Sequence, residues 1–250
     1  MSARAPQIVA FGGGGFSMEW GNPLLDEHVL SLTGVESPRV CFLPTASGDA
    51  DHYVVRFYRA FPASRCHPSH ISLFRRETGV GDPRAHLLEQ DLIYVGGGSL
   101  VSLLGTWHAH GIDDALREAW LAGVVMCGGS AGSLCWFTDA LSSFHEGPPR
   151  RLEGMGFLPC SNAVHYADEP GRRSAYLQAV ASGMPAGYGV GDAAALHFVG
   201  TELAEVVSSR CGARARYVCA DGAGGATETD LPVRYLGEAA PAAADLTLAA

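Results

Sequence analysis

The chain has 250 residues, a formal net charge of −9, and 47% apolar and 17% charged residues. That balance excludes a disordered chain and argues against nucleic acid or anionic membrane as the main partner, since both call for a basic face. No apolar run approaches the ~20 residues of a membrane span, and seven cysteines without a C-x-x-C pair fit reduced, packed thiols better than a disulfide scaffold.

Met1 to Gln7 shows no signal-peptide apolar region before the strand-like Ile8-Val9-Ala10-Phe11, so a cytoplasmic setting is expected. Short apolar runs then alternate with longer amphipathic ones, the pattern of a mostly parallel sheet covered by helices on both faces. Strands are expected at Ile8–Phe11, Arg39–Leu43, Ser69–Phe74, Asp91–Val95 and Val124–Cys127. Helices are expected at Pro23–Leu32, Asp51–Phe61, Pro83–Glu89, Leu100–His110 and Asp113–Ala122, the last started by Asp113 and Asp114 after Gly111. A short helix to about Phe137 should follow, then a loop through Gly147-Pro148-Pro149, the stretch Asn162–Tyr166, a helix near Arg173–Ala181 and the apolar run Ala193–Val199. Glu202–Ser208, Ala215–Cys219 and Pro232–Leu236 alternate like antiparallel strands finishing a sheet edge. These elements define one α/β domain over residues 1–250, with an ordered core of about 6–237 and a loosely held Ala-rich tail, 238–250.

Val124 to Trp136 carries the chemistry. Its apolar run stops at glycines, presents one serine and restarts, and Gly128, Ser130 and Gly132 fit G-x-S-x-G, a strand-turn-helix elbow with the serine oxygen at the apex. The plain alternative is a glycine-rich turn with an idle serine. Cys127 and Cys135 flank the elbow in apolar surroundings and read as packing residues. Two more glycine clusters, Gly12–Gly15 and Gly96–Gly98 with Ser99, also end strands. Neither fits a dinucleotide fingerprint or a P-loop. Loops at the carboxyl ends of parallel strands converge on a ligand crevice, so Gly96–Ser99 should lie beside the elbow.

A serine needs a base. Of ten histidines, His28, His52 and His86 fall in helical segments among charges and are expected to be exposed, His108 and His110 are candidates to border a core, and His67, His70, His145 and His197 lack supporting context. His165 ends Asn162-Ala163-Val164 and opens the polar loop from Tyr166 to Arg173, where an α/β hydrolase places its base. There is no H-E-x-x-H and no Cys/His spacing suited to tetrahedral ligation, so neither metal nor cofactor is expected.

Three separated motifs, Val95-Gly96-Gly97-Gly98-Ser99, Gly128-Gly129-Ser130-Ala131-Gly132 and Asn162-Ala163-Val164-His165-Tyr166, resemble in order the peptidase E and cyanophycinase family of serine peptidases. The resemblance covers most of residues 39 to 200. It implies a three-layer α/β sandwich akin to class I glutamine amidotransferases, Ser130 as nucleophile and His165 as general base. It also implies an oxyanion hole from the N–H groups of Gly98 and Ala131. For the third member, Gly189-Val190-Gly191-Asp192 stands where aspartyl dipeptidases of the family have Gly-x-x-Glu. Asp192 is therefore the expected partner of His165, with Asp139 the fallback.

Those dipeptidases also hold a substrate aspartate with an asparagine after the glycine loop and an arginine beyond the histidine. Here Ser99 occupies the first place, a departure that puts strict aspartate preference in doubt, and Arg172 and Arg173 lie near the second. Either arginine is a candidate for the substrate carboxylate, and pairing with Asp168 or Glu169 is the alternative. The reading that results is a cytoplasmic serine exopeptidase for dipeptides or other short peptides, N-terminal Asp-Xaa among them. A cyanophycinase-like or esterase/amidase activity on the same elbow, and a non-catalytic amidotransferase-like binding domain, are the alternatives. Family members are often dimers, so a homodimer is the assembly the resemblance implies.

Overall fold

The computed structural model describes residues 4–75, 79–143 and 147–238; His145 and nearly all of the tail fall outside them. The α/β class holds, but the strands form two sheets. The larger has eight strands. Its centre is parallel and comprises β1 (Gln7–Phe11), β2 (Arg39–Leu43), β3 (His67–His70), β4 (Leu92–Val95) and β5 (Val125–Gly129), in the order β1-β5-β4-β2-β3. Beyond β1 it continues antiparallel through β10 (Ala194–Val199) and β11 (Glu202–Ser208), and β11 pairs with the short β14 (Arg234–Tyr235).

The smaller sheet contains β6 (Phe137–Ser142), β7 (Arg150–Glu153), β8 (Leu158–Val164), β9 (Gly187–Val190), β12 (Ala215–Ala220) and β13 (Ala226–Asp230). Phe137–Ser142 is a strand where the end of a short helix and the start of a loop were expected. Likewise Ala215–Ala220 joins this second sheet instead of extending the first. The third strand lies two residues earlier than Ser69 because its partner, β2, sets the register from Arg39↔His67.

Alternation along the strands builds the layers. In β1, Val9 and Phe11 face α1 (Leu24–Leu32) and α2 (Asp51–Ala60), meeting Leu25, Val29, Phe57 and Phe61. Ile8 and Ala10 face the opposite side. There α3 (Pro83–Leu88), α4 (Leu100–His110) and α5 (Ile112–Leu121) join the inner face of the smaller sheet, with Trp107, Trp136, Phe137 and Leu158 at the centre. The outer face of the smaller sheet is closed by α7 (Arg172–Ala181), through Tyr176 and Val180 against Leu141, Ala163 and Val218. Among the described residues no helix is long and apolar enough to cross a membrane.

This topology brings the carboxyl ends of β1, β4 and β5 together. The connection between the two sheets passes the same point: the chain leaves β9 in the smaller sheet and enters β10 in the larger one through residues 191–193. His165, just past β8, is tied across as well, its backbone N–H donating to the Gly12 carbonyl at 3.1 Å.

Candidate active site

Ser130 stands between β5 and the four-residue helix α6 (Ala131–Leu134) with φ 54° and ψ −118°, a conformation that non-glycine residues avoid. The turn can close only around glycine. A Cβ on Gly128 would lie 2.5 Å from the Gly132 carbonyl oxygen, and one on Gly132 would lie 2.2 Å from that of Val95. Among the described residues four non-glycine positions have positive φ, and three of them, Ser130, His165 and Ala193, surround this spot. Such strain costs ~1–3 kcal/mol per residue and concentrates where function requires it.

The three side chains form a chain of hydrogen bonds. His165 Nδ1–H donates to Asp192 Oδ1 at 2.6 Å, which leaves Nε2 with its lone pair, and Ser130 Oγ–H donates to that nitrogen at 3.2 Å. His165 is mostly buried and Asp192 partly so, with side-chain exposures of 12% and 28%. Asp192 is held in turn by its own backbone N–H, which donates to Asp168 Oδ2 at 2.8 Å. Gly13 supplies the floor. A Cβ there would lie 2.1 Å from Asp192 Oδ1 and 2.9 Å from His165 Nδ1.

Asp139, the alternative acid, sits on β6 with Arg151 Nε donating to it at 2.5 Å, and is not hydrogen-bonded to His165. The glycine loop after β4 lies beside the elbow as expected. Gly97 packs on Ser130, its Cβ position 3.2 Å from the serine Cβ, and its N–H donates to the Tyr53 hydroxyl at 3.1 Å. Burial raises the Tyr53 phenol, which keeps it neutral. The N–H of Gly98 hangs from the Gly97 carbonyl carbon, and that of Ala131 follows the serine. Among the described residues neither has a protein acceptor. A helix of four residues adds little dipole here.

Three expected substrate contacts lie elsewhere. Ser99 caps α4, its Oγ accepting from the Ser102 N–H at 3.2 Å. Arg172 is buried, donates to the Leu141 carbonyl at 3.3 Å and pairs with Glu169. Arg173 donates through Nε to Glu228 at 2.9 Å on the far side of the loop. The cleft that opens over Ser130, about 540 Å³, is instead lined by Ser17, Met18, Ser47, His52, Tyr53, Arg56, Asp168 and Glu169. The side chain of Arg56, on α2, has no hydrogen bond or ion pair among the described residues. Sequence reading missed Gly13, Tyr53 and Arg56. The Gly12–Gly15 run was a visible signal for the first, but nothing in the spacing of α2 announces the other two.

Cys127 and Cys135 are fully buried, and burial pushes both thiols well above the ordinary cysteine range. They are packing residues with no thiolate to offer.

A serine on a strained strand-to-helix elbow, hydrogen-bonded to a histidine that is hydrogen-bonded to an aspartate, on an α/β sandwich, is the arrangement of a serine hydrolase. Residues 8–206 match peptidase family S51. The chain is 47% identical over 233 residues to the uncharacterized peptidase YgaJ of Bacillus subtilis (strain 168), covering 92% of this chain and 99% of that one. It is 30% identical over 161 residues to peptidase E of Streptomyces coelicolor (strain ATCC BAA-471 / A3(2) / M145), covering 62% and 63% of the two chains. The fold is shared with a peptidase from an acI-B1 Actinobacterium, with TM-score 0.66, 18% identity and coverage of 93% of this chain and 96% of that one. A putative peptidase E of Listeria monocytogenes EGD-e gives TM-score 0.58, 17% identity and coverage of 83% and 100%. The chain belongs to peptidase family S51 and is a peptidase of the peptidase E type.

Proposed function

We propose that the chain is a serine exopeptidase that cleaves dipeptides and other short peptides through an acyl-enzyme on Ser130. The observation that carries this is the bonded series Ser130 Oγ to His165 Nε2 and His165 Nδ1 to Asp192 Oδ1. In the first step Ser130 Oγ attacks the scissile carbonyl carbon while its proton passes to His165 Nε2, and Asp192 stabilises the imidazolium that results. The N–H groups of Gly98 and Ala131 receive the oxyanion. As the tetrahedral intermediate collapses, His165 returns the proton to the departing amine and the C–N bond breaks. Water then attacks the acyl carbon as His165 Nε2 takes its proton, and collapse of this second tetrahedral intermediate breaks the ester C–Oγ bond while His165 returns the proton to Ser130 Oγ, releasing the acid product.

The cleft favours short substrates with free ends. A dipeptide carries one ammonium and one carboxylate, and the lining offers Asp168 and Glu169 for the first and the unpaired Arg56 side chain for the second. Arg56 also takes the place, as carboxylate ligand, that the arginines after His165 cannot fill, so an N-terminal aspartate is within the expected range of substrates. A library of dipeptides, free or blocked by N-acetyl or C-amide groups, should be hydrolysed by wild type and not by Ser130→Ala. Free termini should be preferred, and Arg56→Ala should raise KM most for substrates bearing an extra carboxylate. Equal turnover by Ser130→Ala would overturn the mechanism, and indifference to blocking would overturn the exopeptidase assignment.

A further inference from the structure

Away from the serine cleft, α1 packs against the antiparallel end of the large sheet, and three ligand-type side chains meet there. They are His28 on α1, His197 on β10 and Glu205 on β11, with one donor atom of each lying within 4.8 Å of the others. Glu205 is the cross-strand partner of His197 in the ladder. His197 is 6% exposed, and its Nε2–H donates to Gln7 Oε1 at 2.9 Å, so the lone pair of the neutral ring sits on Nδ1. That nitrogen is buried without a hydrogen-bond partner and faces Glu205 Oε1 at 3.6 Å. His28 Nε2 is also buried and without one, its ring 5.8 Å from that of His197.

Buried polar atoms nearly always have partners, and orphans call for an explanation. Here two orphan nitrogens and a carboxylate oxygen lie within 4.8 Å of one another, and the lone pair of His197 Nδ1 faces the Glu205 carboxylate, a repulsion that a bound cation would relieve. Burial opposes a proton in that role. We propose that His28 Nε2, His197 Nδ1 and Glu205 Oε1 bind one divalent transition-metal ion of the zinc class, with water as fourth ligand. Two imidazoles and one carboxylate suit zinc by type and number. Tetrahedral bonds of ~2.1 Å need donor atoms ~3.4 Å apart, so the side chains close by about an ångström on binding. Outer support is present: Gln7 sets the His197 tautomer, and Arg234 grips Glu205 through both oxygens at 2.8 and 2.9 Å. His197 lies three residues into β10, ~10 Å along the strand from the end that carries Asp192, so the ion clamps α1 to the sheet and takes no part in hydrolysis.

The test uses the full-length protein with Cys211→Ser, which removes the exposed thiol, stripped with a chelator and dialysed. Titration with zinc chloride alone, followed by calorimetry, should show one ion per chain at micromolar Kd or tighter and a rise in Tm. His28→Ala and Glu205→Gln, each checked for fold by circular dichroism, should weaken binding by about 100-fold or more and lose the Tm rise. Gln7→Leu should weaken it by ~10-fold. Cobalt in place of zinc should give d–d bands without thiolate charge transfer. Absence of stoichiometric binding in the parent protein, or binding undiminished in both ligand variants, would overturn the proposal. Because Glu205 is partly exposed, its variant stands as the second test if His28→Ala does not fold.

Discussion

Gly13→Ala is the most demanding test of the hydrogen-bonded series, because it changes none of the three residues involved. The added methyl carbon would lie 2.1 Å from Asp192 Oδ1, the atom that accepts from His165. Non-bonded heavy atoms settle near ~3.5 Å, so the carboxylate must retreat by more than ~1 Å. The 2.6 Å bond then lengthens past the limit of a hydrogen bond. An ångström of misplacement costs about 10²-fold and complete loss of the orienting acid about 10⁴-fold. The expected fall in kcat/KM therefore corresponds to about 3–5 kcal/mol of transition-state stabilisation. Gly13 lies outside the left-handed region, so alanine brings no backbone strain and the fold should survive. The assay is kcat/KM on the best dipeptide, beside Tm and circular dichroism. Gly105→Ala is the control, since a Cβ there meets nothing within 4 Å, and it should be neutral or stabilising by about 0.5–1 kcal/mol. A folded Gly13→Ala enzyme within threefold of wild type would refute the claim that Asp192 orients the base.

Ser130→Ala and His165→Ala should each abolish labelling by a serine-directed phosphonate and lower turnover by several orders of magnitude, with the double variant no worse than the singles; additive losses measured in that cycle would separate His165 from the serine. Asp192→Asn should lose about 10⁴-fold in kcat while Asp139→Asn keeps its rate and loses Tm through Arg151, so the reverse pattern would move the acid to Asp139. Asp26, buried beneath Phe16, has its carboxyl pushed up to about 7 by burial. A folded carboxyl that holds its proton above the unfolded value costs stability as pH rises from about 4 to about 7, so Asp26→Asn should flatten that part of the stability profile and stabilise the protein at pH 8, as denaturant titrations at several pH values will show. An unchanged slope in the variant would place the titration elsewhere.

The parallel half of the fold was legible where its strands, β1, β2, β4 and β5, are short apolar runs ended by glycine or proline; β3, His-Pro-Ser-His, is not apolar, and its place was missed by two residues. The second sheet was not legible. Leu158–Val164 contains Pro159 and Gly187–Val190 alternates glycine, so neither has strong strand propensity; they are strands because β8 and β9 pair and pack against Phe137, Trp136 and Phe198. Phe137–Ser142 reads as a helix end running into a loop until its partners β7 and β8 are known. At the site, Ser130 and His165 stood in local motifs. The choice of Asp192 over Asp139 followed from a resemblance, and Asp192 is the acid hydrogen-bonded to His165 in the structure. Arg56 and Tyr53 come from a helix some seventy positions before the serine and reach the cleft only because α2 covers the strand ends. No local pattern encodes that approach, just as none places His28 opposite His197.

The crossing from β9 to β10 has a consequence for how this protein should fail. Ser130 belongs to one sheet, His165 to the other, and Asp192 to the strap between them, so their alignment gauges how the two sheets are seated on each other. A small slip along that seam would leave both sheets intact, and with them the helical and strand content seen by circular dichroism. It would still part the histidine from the serine. On slow heating, activity should therefore vanish several degrees before the cooperative loss of secondary structure, and a crosslink joining β8 to the Gly12 loop should bring the two temperatures together.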